Sequence, residues 1–308
     1  MNTVRKFDID PLLTHEHDSQ FVDAQQIYTV TRARLVSDRQ VSEFELKEHL
    51  DLLDDLMAFS LGRFWLQNRR LNGFWYDYVM RRYANQQVSN TLEQRILDSL
   101  PITLAKRHSY KIIQEFLQSI LQENIAIAAS PCGVMGDMLT LDYGTLKNFQ
   151  LFGIDSDFES LSTAASWAIE NNLSTVITLI QADTASLDVS KEYHVMVHQG
   201  WNVQEKGQAS LEEKFSCCFK ALKPGGVFVT SFLTPSPDQS KGSTWNMDVI
   251  DPKMLRLQNI LFSEIIHAPE EVPETLETIS ETLKKVGFSD VEFIPDASGM
   301  VVTVLAKV

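Results

Sequence analysis

The stretch from Ile125 to Asp155 decides the fold, and it reads IAIAASPCGVMGDMLTLDYGTLKNFQLFGID. Its first five residues are small and apolar without interruption, which is typical of a strand buried on both faces of a parallel sheet. A tight turn follows, and the pattern then predicts a helix over residues 135–146. A second apolar run over residues 151–154 ends at Asp155. The stretch therefore predicts a strand, a turn, a helix and a second strand parallel to the first.

The acid at the end of the second strand points to a nucleotide site. Asp155 follows the turn glycine Gly133 by about 20 residues, the spacing used in nucleotide-binding βαβ units. The turn lets backbone N–H groups face a ligand, and the helix after it adds its positive end. An acid beside them can accept both hydroxyls of a ribose. The alternative is that Asp155 only begins the next helix, because Asp-Ser-Asp is also a good N-cap sequence.

The composition is that of an ordinary globular protein with a strongly acidic balance. The chain has 308 residues, of which 44% are hydrophobic, and its formal charge is -14. An acidic chain has no electrostatic reason to approach nucleic acid or an anionic membrane, so we expect neither as a partner. The first residues lack the apolar segment of a signal peptide, and no run approaches the roughly 18 apolar residues of a membrane span.

The three cysteines indicate neither a disulfide framework nor a zinc site. Cys217 and Cys218 are adjacent in a helical pattern, where consecutive side chains point in different directions, and Cys132 lies in the turn after the first strand. We therefore expect a protein of a reducing cytoplasm, with no metal.

The pattern changes along the chain from helices alone to alternating strands and helices. Residues 21–122 read as helices, after a polar arm over residues 1–20. We predict a helical N-terminal region over residues 1–104 and an α/β domain over residues 105–308. The helical region is expected to be a bundle packed on the sheet domain, a lid whose aromatic and arginine side chains line a pocket, or the interface of a homodimer.

Seven strands are predicted in the second region. The first five alternate with helices, so we expect them to be parallel and joined by right-handed crossovers. Residues 291–294 and 301–306 are expected to close the chain as an antiparallel hairpin, after a helix that ends at Gly287. The predicted fold class is α/β, a seven-stranded, mostly parallel sheet with helices on both faces, preceded by an all-helical N-terminal region.

Five motifs in this order resemble those of a class I S-adenosylmethionine-dependent methyltransferase. They are IAIAASPCG at 125–133, FGIDSD at 152–157, LIQADTASL at 179–187, YHVMVHQGWN at 193–202 and ALKPGGVFVTSF at 221–232. The Leu-Lys-Pro-Gly-Gly turn before the fifth strand is the most specific of them. The resemblance covers residues 105–308 and implies a Rossmann-like sheet. It is strongest to bacterial members with a helical N-terminal extension and a similar Pro-Cys-Gly turn.

The first motif departs from the family pattern. The family usually carries an acid and three closely spaced glycines there, whereas Ala129 stands in place of the acid and Pro131 in place of the first glycine. Gly133 keeps its place, and Gly136 lies one position later than the last glycine. Proline also removes one N–H donor from the turn. These departures favour, as an alternative, a non-catalytic member of the fold that serves as a cofactor-binding or interaction module.

The resemblance implies specific contacts with the cofactor S-adenosyl-L-methionine. The turn formed by Ser130, Pro131, Cys132 and Gly133 would lie against its methionine part. Asp155 would hold the ribose hydroxyls, with Ser156 and Asp157 near the adenine. Asp183 would accept from the adenine amino group while the Thr184 backbone donates, although Asp183 can also be a loop acid that caps a turn.

Further residues are implied near the reacting centre. His198, Gln199 and Gly200 would face the sulfonium and the substrate. His198 is only a weak catalytic candidate, since a buried, hydrogen-bonded histidine at a strand end explains it as well. Arg107 could pair with the carboxylate of the cofactor, or it could be exposed to solvent.

The implied activity is methyl transfer to a small-molecule acceptor by in-line displacement. Such a reaction needs no metal, and it needs a base only if the acceptor loses a proton early. A nicotinamide-dependent oxidoreductase is a second alternative because Asp155 suits that ribose too. It normally requires the full Gly-x-Gly-x-x-Gly motif, which this turn lacks.

Overall fold

The computed structural model describes residues 23–38, 42–81, 88, 90–198, 210–269 and 271–308. The described residues before the first strand form six helices: α1 (Ala24–Ser37), α2 (Glu43–Met57), α3 (Ser60–Asn68), α4 (Gly73–Arg81), α5 (Thr91–Asp98) and α6 (Pro101–Ser119). This part of the N-terminal region is helical, as predicted. The expected polar arm over residues 1–20 lies outside the described residues.

Strands and helices alternate in the rest of the chain. The elements are β1 (Ile125–Ala129), α7 (Gly136–Leu139), β2 (Phe149–Asp155), α8 (Phe158–Glu170), β3 (Ile177–Gln181), β4 (Tyr193–His198), α9 (Leu211–Ala221), β5 (Leu222–Leu233), α10 (Pro252–Asn259), α11 (Leu276–Val286), β6 (Ser289–Pro295) and β7 (Val301–Lys307). A short 3₁₀ turn follows β3 at Thr184–Ser186, and α10 continues as a π-helical segment over Ile260–Ile266.

The seven strands form one sheet in the order β3-β2-β1-β4-β5-β7-β6. The first five of these are joined by parallel pairings, and β7 pairs antiparallel with both β5 and β6. The seven strands and the closing hairpin are confirmed, but the sheet is mixed rather than mostly parallel. The connections reverse direction between β1 and β4, and ligands of open α/β sheets bind at such a point, beyond the carboxyl ends of the strands.

Helices cover both faces of the sheet. Residues of α6, α7 and α8 pack with Ile127 and Val197 on one face. Residues of α9 and α11 pack with Met196 and Phe228 on the other. A separate core joins α2, α3 and α5 to α10 and the π-helical segment. Because α6 runs across the predicted boundary after residue 104, the division into two domains stays a prediction.

The helix after β1 is much shorter than predicted. The pattern predicted a helix over 135–146, but α7 ends at Leu139. The Tyr143 hydroxyl donates to the Met138 carbonyl at 2.9 Å. The Asp142 carboxylate accepts from the backbone of Gly144, whose φ of 52° is left-handed. These local hydrogen bonds satisfy backbone polar groups without a helix. The apolar residues that suggested a helix are buried in an irregular segment instead.

Two other elements differ at their ends. The Leu-Lys-Pro-Gly-Gly segment, expected to be a turn before the fifth strand, belongs to β5 itself, and the register with β4 shifts between Tyr193 and Val195. The last helix ends as predicted, at Gly287, whose N–H donates to the Leu283 carbonyl at 3.1 Å.

Candidate functional site

The site predicted from the sequence lies where β1, β2 and β3 end side by side. Ala129 at the end of β1 is in register with Gly153 of β2, and Asp155 at the end of β2 is in register with Gln181 of β3. The Ala182 N–H donates to the Asp155 carbonyl at 3.0 Å. The parallel register thus brings the segments after these strands, 130–133, 155–157 and 182–184, to one edge of the sheet.

Asp155 joins the ends of β1 and β2. Its Oδ2 accepts a hydrogen bond from the Gly133 N–H at 2.8 Å, and its Oδ1 accepts one from the Asp157 N–H at 2.9 Å. Burial raises the pKa of this carboxyl, while the backbone N–H groups of Asp157, Gly133 and Cys132 oppose the shift. An ionised carboxylate offers about four acceptor positions, so two remain for the hydroxyls of a ribose. The residue therefore fits the role of a ribose anchor.

The turn after β1 uses its backbone donors within the protein. The Ser130 N–H donates to the Val197 carbonyl at 3.0 Å, and the Cys132 N–H donates to the Ile154 carbonyl at 2.9 Å. The Gly133 N–H is bound to Asp155, and Pro131 has no N–H. The expectation that these N–H groups face a ligand is therefore wrong. A ligand along the turn would have to be held by side chains or by neighbouring segments.

His198 is a buried histidine that holds the turn. Its side chain is 3% exposed and hydrogen-bonds the Ser130 backbone, and the Ser130 and Thr184 hydroxyls are 2.7 Å apart. Burial, together with the charge of Lys214, puts the pKa of His198 well below its ordinary value. A neutral ring enclosed in this way links β4 to the turn, so the geometry does not support the catalytic candidate. Gln199 and Gly200, which follow it, lie outside the described residues.

The two other acids at this edge are N-caps, Asp183 of the short 3₁₀ turn and Asp157 of α8. Asp183 Oδ1 accepts from the Ala185 N–H at 2.7 Å, and Asp157 accepts from the first N–H groups of α8. Asp183 therefore has the cap role that was the alternative to adenine binding. Ser156 is exposed, and its carbonyl accepts from the Gln181 side chain at 3.3 Å.

Arg107 makes structural contacts instead of the expected cofactor contact. Its guanidinium donates to the carbonyls of Val79, Met80 and Leu97, at 2.6, 3.1 and 2.7 Å. These carbonyls belong to the last turns of α4 and α5, where a cation is electrostatically favoured. The expected pairing with a cofactor carboxylate is thus not supported, and the expected exposure is also wrong, because the contact is partly buried.

The sequence predicted a helix where α4 lies, but not that this helix rests directly on the turn after β1. A Cβ on Gly73 would lie 2.8 Å from the Gly133 Cα and 2.5 Å from Ser160 Oγ, so the backbones touch without any side chain between them. One helical turn after Gly73, α4 carries Asp77, whose carboxylate occupies the position that a Cβ on Gly136 would take. The only signal in the sequence was an acid in the middle of the apolar, aromatic run around Asp77.

Asp77 is an unusual buried acid. It is 2% exposed, its Oδ1 accepts from the Tyr110 hydroxyl at 3.4 Å, and Arg81 Nη1 lies 3.6 Å from its Oδ2. Burial raises the pKa of Asp77 to about 7 and that of the nearby Asp137 to about 6. The Arg81 guanidinium also stacks over the Trp167 ring of α8, 5.4 Å from its centroid. Charged groups of α4 therefore contact α8, next to the edge of the sheet where β1, β2 and β3 end.

The strand order with an antiparallel last strand defines the class: the chain has the fold of the class I S-adenosylmethionine-dependent methyltransferases. One solved structure, described as a possible exported protein from Bordetella parapertussis, is 33% identical over 92% of this chain and 95% of that chain, with a TM-score of 0.87. The chain belongs to the same family as that protein.

More distant solved structures carry methyltransferase names. The S-adenosylmethionine-dependent methyltransferase SibL is 12% identical over 83% of this chain and 75% of its own, with a TM-score of 0.48. Phosphoethanolamine N-methyltransferase 2 of Haemonchus contortus, solved with S-adenosyl-L-methionine, is 17% identical over 72% and 42%, with a TM-score of 0.45. No family model matches the chain, and no curated protein sequence matches it.

Three further observations concern the cysteines, the possible metal ligands and the length of the helices. All three cysteines are free thiols, with Cys132 and Cys218 buried. Among the described residues, no group of three or more His, Cys, Asp or Glu side chains could hold a metal ion. None of the described helices combines the length and apolar character that crossing a membrane would need.

Proposed function

We propose that the protein is an S-adenosylmethionine-dependent methyltransferase that acts on a small-molecule acceptor. The observation that carries the proposal is Asp155, an acid at the end of β2 that keeps two acceptor positions beside the turn of β1. It lies at the edge where open α/β sheets bind nucleotides. S-adenosyl-L-methionine would supply a methyl group already activated by a positive sulfur. The protein would hold donor and acceptor in line, which can contribute several kcal/mol.

The proposed contacts follow the strand ends. Asp155 holds the ribose hydroxyls, and Ser156, Asp157 and Asp183 lie on the adenine side. Cys132 and Gly133 contact the cofactor through atoms other than their N–H groups, because these already donate hydrogen bonds within the protein. The helical region of residues 1–104 acts as the cover of the α/β domain over 105–308, a role supported by the contact of Gly73 with Gly133.

Calorimetric titration with S-adenosylmethionine and with S-adenosylhomocysteine tests this proposal. We expect micromolar binding to the wild type, lost in Asp155→Ala and kept in the control Asp188→Ala, which removes an exposed acid after the 3₁₀ turn. Thermal unfolding of each variant separates lost binding from lost folding, because Asp155 also holds the turn. Absence of binding to the wild type would contradict the proposal.

A non-catalytic cofactor-binding or interaction module of the same fold is the second candidate. The observation that favours it is the turn itself, whose Ser130, Cys132 and Gly133 donors are used internally while Gly73 rests on it. Cofactor binding without methyl transfer to any member of a broad acceptor panel would favour this candidate over the enzyme.

A reducing cytoplasm and a homodimer complete the proposal. The three free thiols support the compartment. Exposed apolar side chains on α1 and α2, at Val30, Val36 and Phe44, support a dimer through the N-terminal helices. Cell fractionation tests the first, and sedimentation of the wild type against Phe44→Ser tests the second. A monomeric wild type would contradict the dimer.

A further inference from the structure

Hydrogen bonds tie the three segments of the candidate site to one another in a closed ring. The turn after β1 is joined to β2 by the bond from the Gly133 N–H to Asp155 Oδ2, at 2.8 Å. The end of β2 is joined to the segment after β3 by the bond from the Ala182 N–H to the Asp155 carbonyl, at 3.0 Å. The third link is a side-chain bond, because the Ser130 and Thr184 hydroxyls lie 2.7 Å apart.

This third link connects segments of two strands that are not neighbours. Strand β2 lies between β1 and β3 in the sheet, so a ladder of backbone hydrogen bonds cannot join the segments that follow β1 and β3. The hydroxyl pair makes the connection instead, past the end of β2. It thereby relates the position of the turn after β1 to that of the 3₁₀ turn at Thr184–Ser186.

Both hydroxyls of the pair are enclosed in the protein. Ser130 is 0% exposed and Thr184 is 6% exposed. Breaking the pair would leave a buried hydroxyl without its partner, which is costly, so the closed pair is strongly favoured. Ser130 is also fixed through its backbone, since its N–H donates to the Val197 carbonyl at 3.0 Å and its backbone hydrogen-bonds the His198 ring. The Ser130 end of the link is therefore anchored to β4.

The Thr184 end of the link carries the adenine side of the proposed site. Asp183 precedes Thr184, and its Oδ1 accepts from the Ala185 N–H at 2.7 Å, so this carboxylate moves with the 3₁₀ turn. The N–H donors of the turn after β1 are used within the protein and cannot direct a ligand. Recognition at this edge of the sheet therefore depends on where the segments after the strands are held.

We propose that Ser130 and Thr184 are positioning residues for an adenine nucleoside. Their hydroxyl pair fixes the spacing between the turn after β1 and the 3₁₀ turn, and a nucleoside held by Asp155 fits between these two turns. The hydroxyls themselves do not contact the ligand. The inference rests on the proposed function and extends it, since it assigns part of the affinity for the adenosine moiety to two side chains that the ligand does not touch.

A second hydroxyl pair in the chain provides a matched control. Ser109 of α6 and Thr303 of β7 also lie 2.7 Å apart, and they are 2% and 0% exposed. Strands β4 and β5 separate β7 from β1, so this control pair lies outside the ring of contacts at the candidate site. Breaking it removes the same kind of bond from an equally buried environment. A loss of ligand affinity that is specific to Ser130 and Thr184 therefore reflects their place in the fold.

Calorimetric titration of the full chain with adenosine and with S-adenosylhomocysteine tests the proposal. Thr184→Val replaces the hydroxyl with a methyl group of similar size, Ser130→Ala removes the other hydroxyl, and Thr184→Ser keeps a hydroxyl as the conservative variant. Ser109→Ala and Thr303→Val break the control pair. Thermal unfolding of every variant measures the stability that each change removes.

We expect Thr184→Val and Ser130→Ala each to weaken the binding of both ligands by about tenfold or more, and Thr184→Ser to bind them as the wild type does. The double variant Ser130→Ala/Thr184→Val should bind no more weakly than the weaker single variant, because both changes break one bond. Ser109→Ala and Thr303→Val should keep wild-type affinity although they lose comparable stability.

Unchanged affinity in the folded Ser130→Ala and Thr184→Val variants would overturn the proposal and leave the proposed function intact. Equal losses of affinity in the control pair would also overturn it, because they would reflect a general loss of stability. If Thr184→Val does not fold, Ser130→Ala decides the question, since it adds no atoms to the buried turn. A wild type that binds neither adenosine nor S-adenosylhomocysteine would overturn the proposed function and this inference together.

Discussion

Gly73 at the start of α4 lies directly against Gly133 in the turn after β1, with their backbones in contact. The sequence distance between these residues is large, and neither has a side chain that could have signalled the contact. Through it, the helical N-terminal region is fixed to the segment that carries the ribose anchor. Helix α4 is therefore part of the candidate site.

We predict that Gly73→Ala destabilises the protein and disturbs the site. The new Cβ would meet Ser160 Oγ at 2.5 Å and the Gly133 Cα at 2.8 Å, so α4 must move away from the turn. Overpacking of this kind costs about 1–3 kcal/mol. Thermal unfolding measures the effect, and Gly242→Ala is the matched control because a Cβ there would meet Ser240 Oγ at 3.8 Å, an ordinary contact. A Gly73→Ala variant as stable as Gly242→Ala would show that the contact is not tight.

The stability of the protein should fall as the pH rises from 5 to 8. In the folded protein the pKa of Asp77 is about 7 and that of Asp137 about 6, whereas an unfolded aspartate has a pKa near 4. The folded state therefore binds more protons in this range, and the free energy of unfolding decreases with pH. One such group contributes at most about 1.4 kcal/mol per pH unit.

Urea unfolding at four pH values checks this dependence. Asp77→Asn keeps the side chain neutral at every pH, so its stability should fall less steeply than that of the wild type. The control Glu170→Gln removes an exposed acid at the end of α8, so its stability should fall with pH as steeply as that of the wild type. Parallel slopes for the wild type and Asp77→Asn would contradict the assignment of a neutral, buried Asp77.

The titration midpoint of His198 should lie well below the ordinary value for a histidine. Its ring is enclosed at the end of β4, and burial with Lys214 nearby keeps its pKa well below the ordinary value. NMR signals of its ring protons, followed against pH, give this midpoint directly. A midpoint near 6.5 for His198 would restore it as a candidate base.

Replacement of Arg107 by Gln should lower stability without changing cofactor recognition. The variant loses charge-assisted hydrogen bonds to the ends of α4 and α5, which are worth about 2 kcal/mol each. Affinity for S-adenosylhomocysteine, relative to 5′-methylthioadenosine, should remain as in the wild type. A selective loss for the compound with the amino-acid part would revive the contact with the cofactor carboxylate.

The sequence predicted the parts of the site that depend on local pattern. Buried strands followed by turns and acids placed Gly133, Asp155 and Asp183 at one edge, because parallel strands always end on the same side of a sheet. The helix after β1 was predicted too long, since its apolar residues are also buried in an irregular segment.

The contacts that were missed are long-range. Apart from the acid Asp77 in an apolar, aromatic run, nothing near Gly73 in the sequence indicates that α4 would meet the turn after β1. The Arg107 guanidinium donates to carbonyls of two other helices. His198 was placed correctly at a strand end, but whether its ring faces a ligand or the interior depends on how α9 packs on the sheet.

A crystal structure of the protein grown with S-adenosylhomocysteine would show whether Asp155 holds the ribose. We predict that the ribose hydroxyls donate to the Asp155 carboxylate, with the adenine on the side of Asp183. Crystals in which Asp155 keeps only its bonds to Gly133 and Asp157, with no nucleoside at the ends of β1–β3, would contradict the methyltransferase proposal.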